Sequence, residues 1–293
     1  MPQRDFEISL SEDPVLPINQ LLHFRAQVPF FHHAQSNQPK FYGIYQTLAY
    51  RSANGDVLID YGNHGHIHID FERRLARCHL PSESLESPWA VMCFFIKTPT
   101  HWALALGGKF VTHAGCVRLA GKTWLLVAET GSGKTTTTVA LTECGGAFLG
   151  DDWVLLSKGD GAVLAHKFPC WIGFRRTSMK WFASLSPQCE PAIDGSEKIE
   201  LNPISAWPDR VPDSTHVDGV LFPKISGQAR SRLEKMGKTE ALHLLATENV
   251  AMVTADLAEA HFDLLADLVD SVPCYQLHLG EDPMAVADTL RAQ

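Results

Sequence analysis

The chain has few of the features that would place it in several large classes. Only 20% of its 293 residues are Asp, Glu, Lys or Arg, while 45% are apolar and no low-complexity tract interrupts them. That composition supplies a large core, or one core with a smaller appended module, and excludes a disordered chain. Long apolar runs are missing. The longest, Trp89 to Ile96 (WAVMCFFI), falls far short of the roughly 20 residues that span a bilayer. The N-terminal MPQRDFEISLSEDP is acidic and not apolar enough for a signal peptide. The seven cysteines are odd in number, widely spread and free of any C-x-x-C pair. Reduced thiols in a cytosol fit that pattern better than a disulfide framework or a zinc site. Lys and Arg total 25 against 33 Asp and Glu, giving a net charge of −8 without a basic stripe. Nucleic acid is therefore a poor candidate partner, because its binding needs clustered cations. These absences lead to the expectation of a soluble cytoplasmic protein that engages neither membrane nor nucleic acid.

What is present reads as mixed α and β. FYGIYQTLAYRSANGDVLIDYG is two β-rich runs around Asn54-Gly55, a hairpin signal, and HIHIDF continues the alternation. LPSESLESP looks like a connection, and the apolar spacing from Trp89 to about Leu106 predicts a helix bent or broken near Pro99. A boundary is placed near residue 86, separating a β-rich N-terminal module (1–86) from the rest (87–293). FVTHAGCVRLA and TWLLVA form a second hairpin around Gly121-Lys122. The next helix should end at Gly145-Gly146, and AFLGDDWVLL reads as one apolar strand. Residues 170–216 read as irregular. HVDGVLFPK and CYQLHLG read as strands, and KTEALHLLATEN, ADLAEAHFDLLADLVDSV and DPMAVADTLRA as helices. Hairpins are more numerous than a doubly wound sheet would show.

Residues 128–135, Ala128-Glu129-Thr130-Gly131-Ser132-Gly133-Lys134-Thr135, match G-x-x-x-x-G-K-[ST] except that Ala128 replaces the first glycine. An apolar strand precedes the turn, a helical run starting at Gly133 follows it, and Thr136 is a further candidate for nucleotide binding. Small residues let consecutive backbone N–H groups turn inward on phosphate oxygens, and the helix start adds the positive end of its dipole. Lys134 would reach the β- and γ-phosphates, and the Thr135 hydroxyl could take a Mg²⁺ position. The loop is expected to hold a nucleoside triphosphate.

Asp151 and Asp152 follow AFLG. Neighbours on a strand point to opposite faces, so one is expected to face the nucleotide and the other a different partner. Metal coordination and proton abstraction from an attacking hydroxyl both require such a carboxylate. His113 lies on the strand expected to pair with the loop's strand, which would bring it near the loop mouth, although a lone strand histidine is more often structural.

His113-Ala114-Gly115, a hairpin, the loop at 128–135, a helix and Asp151-Asp152 together resemble the kinase domain of HPr kinase/phosphorylase and the wider HPr kinase-like proteins. DGVLFPK and VPCYQLHLG resemble that family's late strands. The resemblance implies an α/β P-loop kinase domain of the HPr kinase/phosphoenolpyruvate carboxykinase-like type over 87–293. It implies an ATP- and Mg²⁺-dependent kinase acting on a Ser/Thr-type hydroxyl of a protein or peptide, and assembly as a homo-oligomer. Carried over by position, Asp152 is the base, Lys134 stabilises the transferred phosphoryl, Thr135 binds Mg²⁺ and His113 assists. The family's glycine-rich run with its Mg²⁺-binding Glu is replaced by CWIGFRRTSMKWF, leaving Asp151 to supply the metal contact. The kinases that modify ribosomally made peptides are a plausible nearer branch.

Arg175, Arg176, Lys198 and Lys224 are candidate phosphate or substrate contacts; solvated surface cations are the plain alternative. His64, His66 and His68 are placed on one strand face, where they could bind a transition metal or simply form a polar outer face. Three other functions share the loop: a small-molecule kinase for an amino acid or sugar, a motor or transporter ATPase, and a nucleotide-binding regulator. The ATPase lacks its signature loop here.

Overall fold

The computed structural model describes residues 7–11, 25–32, 45–51, 55–86, 88, 91–168, 170–192, 196–250 and 255–293. The fold is mixed α/β with several sheets. The chain divides into two compact units. The first comprises Met1–Gly107, Ile193–Ser196 and Met252–Leu257, and the second Gly108–Ala192, Glu197–Ala251 and Ala258–Gln293.

The first unit contains β1 (Glu7–Ser11), β2 (Arg25–His32), β3 (Tyr45–Arg51), β4 (Val57–Asp60), β5 (His66–Asp70) and β6 (Leu75–His79). They form one sheet in the order β1-β6-β5-β4-β3-β2. β3 and β4 pair antiparallel, Arg51 opposite Val57, as the Asn54-Gly55 signal predicts; Gly55 has φ 93°, and residues 52–54 lie outside the described ones. Alternating Val57, Ile59, Ile67, Ile69, Ala76 and Cys78 bury one face against Phe94, Phe95 and Trp102. Those three come from a helical segment that is π-wound over Val91–Lys97 and continues as α1 (Thr98–Leu106). Pro99 sits where the winding changes from π to α, and its missing N–H removes one backbone bond from the continuous segment. The segment 87–107 thus belongs to the first unit, and its division from the second falls at Gly107 rather than near residue 86.

In the second unit, β7 (Lys109–Thr112), β8 (Gly115–Leu119), β9 (Lys122–Leu126), α2 (Lys134–Glu143), β10 (Ala147–Gly150), β11 (Val154–Lys158) and β12 (Val163–His166) come first. β13 (Ile172–Arg175), β14 (Cys189–Pro191), β15 (Lys198–Leu201), β16 (Ser214–His216), β17 (Gly219–Gln228) and β18 (Arg232–Lys235) follow. The chain ends with α3 (Lys238–Asn249), α4 (Ala255–Ser271), β19 (Cys274–Gly280) and α5 (Val286–Arg291). The sheets are β10-β8-β9-β17-β19-β18, β16-β12-β11-β7 and β13-β15-β14.

Two expectations are corrected here. FVTHAGCVRLA is not one strand: β7 joins the four-stranded sheet, β8 joins the six-stranded one, and His113 occupies the bend between them. AFLGDDWVLL breaks in the same way, β10 pairing with β8 and β11 with β7. Gly150 permits the second corner, because a Cβ there would lie 2.4 Å from the Trp153 carbonyl oxygen. Asp152 turns the chain with φ 61°. Since β8 pairs with β10 and β7 with β11, both corners lie at the same level of the two sheets. The stretch 170–216 is also more regular than its sequence suggests, holding β13, β14, β15 and β16.

α2 ends as predicted. Gly145 (φ 95°) donates to the Thr142 carbonyl and Gly146 to the Leu141 carbonyl, both at 3.0 Å, the paired bonds of a glycine-terminated helix. In α4, His261, Leu264, Leu265 and Leu268 make a buried stripe at helical spacing. Among the described residues, no helix is long and apolar enough to cross a membrane.

Candidate functional site

The glycine-rich turn leaves β9, which runs parallel to β17; the Val127 N–H extends that ladder to the Leu221 carbonyl at 2.9 Å. The turn is closed locally, with the Ser132 hydroxyl donating to the Glu129 carbonyl at 2.8 Å. Gly131 (φ 90°) and Gly133 (φ 96°) adopt left-handed backbone, which glycine enters without the Cβ penalty. Gly133 is also the N-cap of α2, and a Cβ there would come within 2.6 Å of Leu279 Cδ1. The turn therefore presents the free N–H groups of a helix start. α2 is buried nearly all round. Thr138 and Thr142 tolerate this by bonding backward, Thr138 Oγ to the Lys134 carbonyl at 3.0 Å and Thr142 Oγ to the Thr138 carbonyl at 2.9 Å, while the buried Thr137 hydroxyl finds no partner among the described residues.

The two corners bring His113 and Asp152 to Lys134. Lys134, only 5% exposed, places Nζ 2.9 Å from Asp152 Oδ1 and 2.6 Å from His113 Nε2. An ammonium can only donate, so His113 Nε2 accepts and the ring's proton sits on Nδ1. That nitrogen lies 3.8 Å from Glu248 Oε2, within charge attraction but beyond a hydrogen bond. The His113 N–H donates to Asn249 Oδ1 at 2.5 Å, and Asn249 Nδ2 donates to the Leu245 carbonyl at 2.8 Å. Glu248 and Asn249 were not candidates from the sequence, where KTEALHLLATEN shows only helical spacing.

The adjacent aspartates are shifted in opposite directions. Burial acts most strongly on both. At Asp151, 1% exposed, it pushes the carboxyl up to about 7, reinforced by the Asp152 charge. Lys134 and the Thr135 and Thr138 hydroxyls pull it the other way. Neither Asp151 oxygen makes a hydrogen bond of good geometry, so the two hydroxyls influence it without satisfying it. At half-exposed Asp152, burial is outweighed by the neighbouring His113 ring and the Lys134 ammonium, which hold the carboxyl well below the usual range. It is anionic in this arrangement.

A cavity of about 350 Å³ opens on this cluster. His113, Glu129, Thr130, Gly131, Gly133, Lys134, Thr135, Thr136 and Asp152 form part of its wall, and Arg175 and Lys198 contribute from the β13–β15 sheet. Ala128 and Ser132 lie in the turn, and Asp151 beneath it, without lining the cavity; Arg176 and Lys224 do not line it either. Lys224 precedes the lining residue Ile225 on β17, and strand neighbours point to opposite faces. His64, His66 and His68 do not share a strand: His64 ends a 3₁₀ turn, while His66 and His68 are on β5. His68 Nε2 meets Asp56 Oδ2 at 3.1 Å, and His66 lies beside the His79 ring at 4.9 Å between centroids. Among the described residues no group of three or more His, Cys, Asp or Glu side chains could hold a metal ion.

No family model matches the chain. No curated protein matches it. Among solved structures, the HPr(Ser) kinase/phosphatase from Coxiella burnetii aligns over 62% of this chain and 94% of its own, with 13% identity and a TM-score of 0.35, a distant structural similarity.

Proposed function

We propose that the second unit is an ATP-dependent phosphotransferase that moves the γ-phosphate to a Ser/Thr-type hydroxyl of a protein or peptide. The observation that carries this reading is the ion pair of Lys134 with Asp152, 2.9 Å apart, in a cavity walled by a glycine-rich helix start. A phosphate tail needs inward N–H groups and a cation; an attacking alcohol needs a carboxylate. All are present within one lysine's reach.

In the reaction, the acceptor oxygen forms a bond to the γ-phosphorus while the bond from that phosphorus to the β,γ-bridging oxygen breaks, releasing ADP. The acceptor's proton passes to Asp152. Lys134 turns from Asp152 toward the phosphate oxygens, which relieves the charge that keeps Asp152 a weak base. Once Lys134 has turned away, His113 with its proton on Nε2 can donate to Asp152 Oδ1, 3.5 Å away, and orient the carboxylate. The donor set also suits Mg²⁺: the Thr135 hydroxyl and Asp152 face the cavity, and Asp151 waits behind them with both oxygens unbonded. Magnesium takes such hard oxygens together with waters and phosphate, and bound there it would neutralise charge on the nucleotide's phosphates.

Lys134→Ala should abolish turnover, and Asp152→Asn should abolish transfer while nucleotide still binds, read by radiolabelled ATP transfer and calorimetry. Wild-type transfer by Asp152→Asn would remove the assigned base. The acceptor could also be a small molecule, which the next inference addresses.

A further inference from the structure

We infer that the β13–β15 wall of the cavity is an anion-recognition subsite for the acceptor, so that the alcohol phosphorylated carries a carboxylate close to its hydroxyl; this rests on the phosphotransfer reading above. Arg175 and Lys198 are direct cross-strand partners in the antiparallel β13–β15 pair. They therefore project from the same face, and both line the cavity. The pairing is not a by-product of a basic chain, since the net charge is −8.

The phosphate tail has its own partners in the turn, the α2 start and Lys134, so a second cation pair on a separate sheet is not needed for it. The same wall carries Thr177, Ser178 and the Trp181 ring. Lys180 Nζ rests 4.2 Å from the centre of that ring. Hydroxyls, an aromatic face and a guanidinium fork suit a carboxylate-bearing organic molecule. That carboxylate could belong to an acidic peptide or to a free amino or hydroxy acid.

Three probes separate these sources: a serine peptide flanked by Glu, the same peptide flanked by Lys, and free L-serine. The full chain, Arg175→Ala/Lys198→Ala and Arg175→Glu/Lys198→Glu are assayed with radiolabelled ATP, with ATP affinity followed by calorimetry. The wild type should use the Glu peptide or free serine in preference to the Lys peptide, the better of the two identifying the source. The double alanine variant should raise that acceptor's KM about tenfold or more, the loss of one to two charged hydrogen bonds, with ATP affinity unchanged. Charge reversal should transfer preference to the Lys peptide. Equal use of both peptides, or ATP binding and turnover with none of the probes phosphorylated, overturns the subsite and leaves phosphotransfer standing. Loss of ATP affinity in the double alanine variant overturns it by assigning the pair to the nucleotide. Failure of the wild type to bind ATP removes both readings.

Discussion

Asp151 and His261 are buried groups whose titrations oppose each other. Asp151 has a native pKa of about 7 against an ordinary 3.8. The native state therefore holds the extra proton between those values, and stability falls as pH rises through that window. His261 on α4 is fully buried, with its ring stacked on Phe110 at 4.9 Å, and burial lowers it from 6.5 to about 4. There the unfolded chain holds the extra proton, so stability rises with pH between about 4 and 6.5 and is lost as pH falls. In thermal melts with chelator, Asp151→Asn should gain more over the parent at pH 8 than at pH 5. His261→Phe should flatten the rise between pH 4 and 6.5. Equal gains for Asp151→Asn at both pH values would show that its carboxyl does not titrate in the native state. The depressed Asp152 contributes in the opposite sense to Asp151, above the usual carboxylate range, but its half-exposed ion pair is weakened by solvent.

The elements meet tightly where the corners cross α2. Gly115 opens β8 directly under that helix, and a Cβ there would lie 2.2 Å from Thr138 Oγ1 and 3.4 Å from Asp151 Oδ1. Thr138 cannot simply rotate away without giving up its bond to the Lys134 carbonyl. Gly115→Ala should therefore cost roughly 1–3 kcal/mol, the usual range for overpacking a filled core, read as a lower urea midpoint. An unchanged midpoint would mean that the hydroxyl finds another rotamer at no cost.

For the whole molecule, separate cores in the two units predict separable damage. Phe95 is buried with Ile67, Ile69 and Trp102 in the first unit, and Phe148 with Val139, Ala140 and Trp207 in the second. Truncating either to alanine should cost about 3–5 kcal/mol. Phe148→Ala loosens the packing under α2 and should weaken ATP binding together with stability. Phe95→Ala should open the first unit to limited proteolysis at temperatures where ATP affinity, by calorimetry, is kept. Equal loss of affinity in the two variants would show that the units do not fold independently.

The sequence by itself determined the apolar strand, the glycine-rich turn, α2 and the glycines that end it, the β4–β5 alternation and the last strand and helix. Each of these depends on residues a few positions apart: left-handed glycines, helical spacing and period-two alternation act locally. Only the tertiary structure decided that the strands around His113 and around Asp151-Asp152 break and change sheets, because apolar alternation runs through both corners and does not specify a hydrogen-bonding partner. It also decided that Asn249, separated from His113 by 136 positions, holds that residue's backbone. Among the candidate cations it brought Arg175 and Lys198, but not Arg176 or Lys224, to the cavity. Which face a charged side chain shares with another is a matter of sheet register, and register is settled by pairing across the fold.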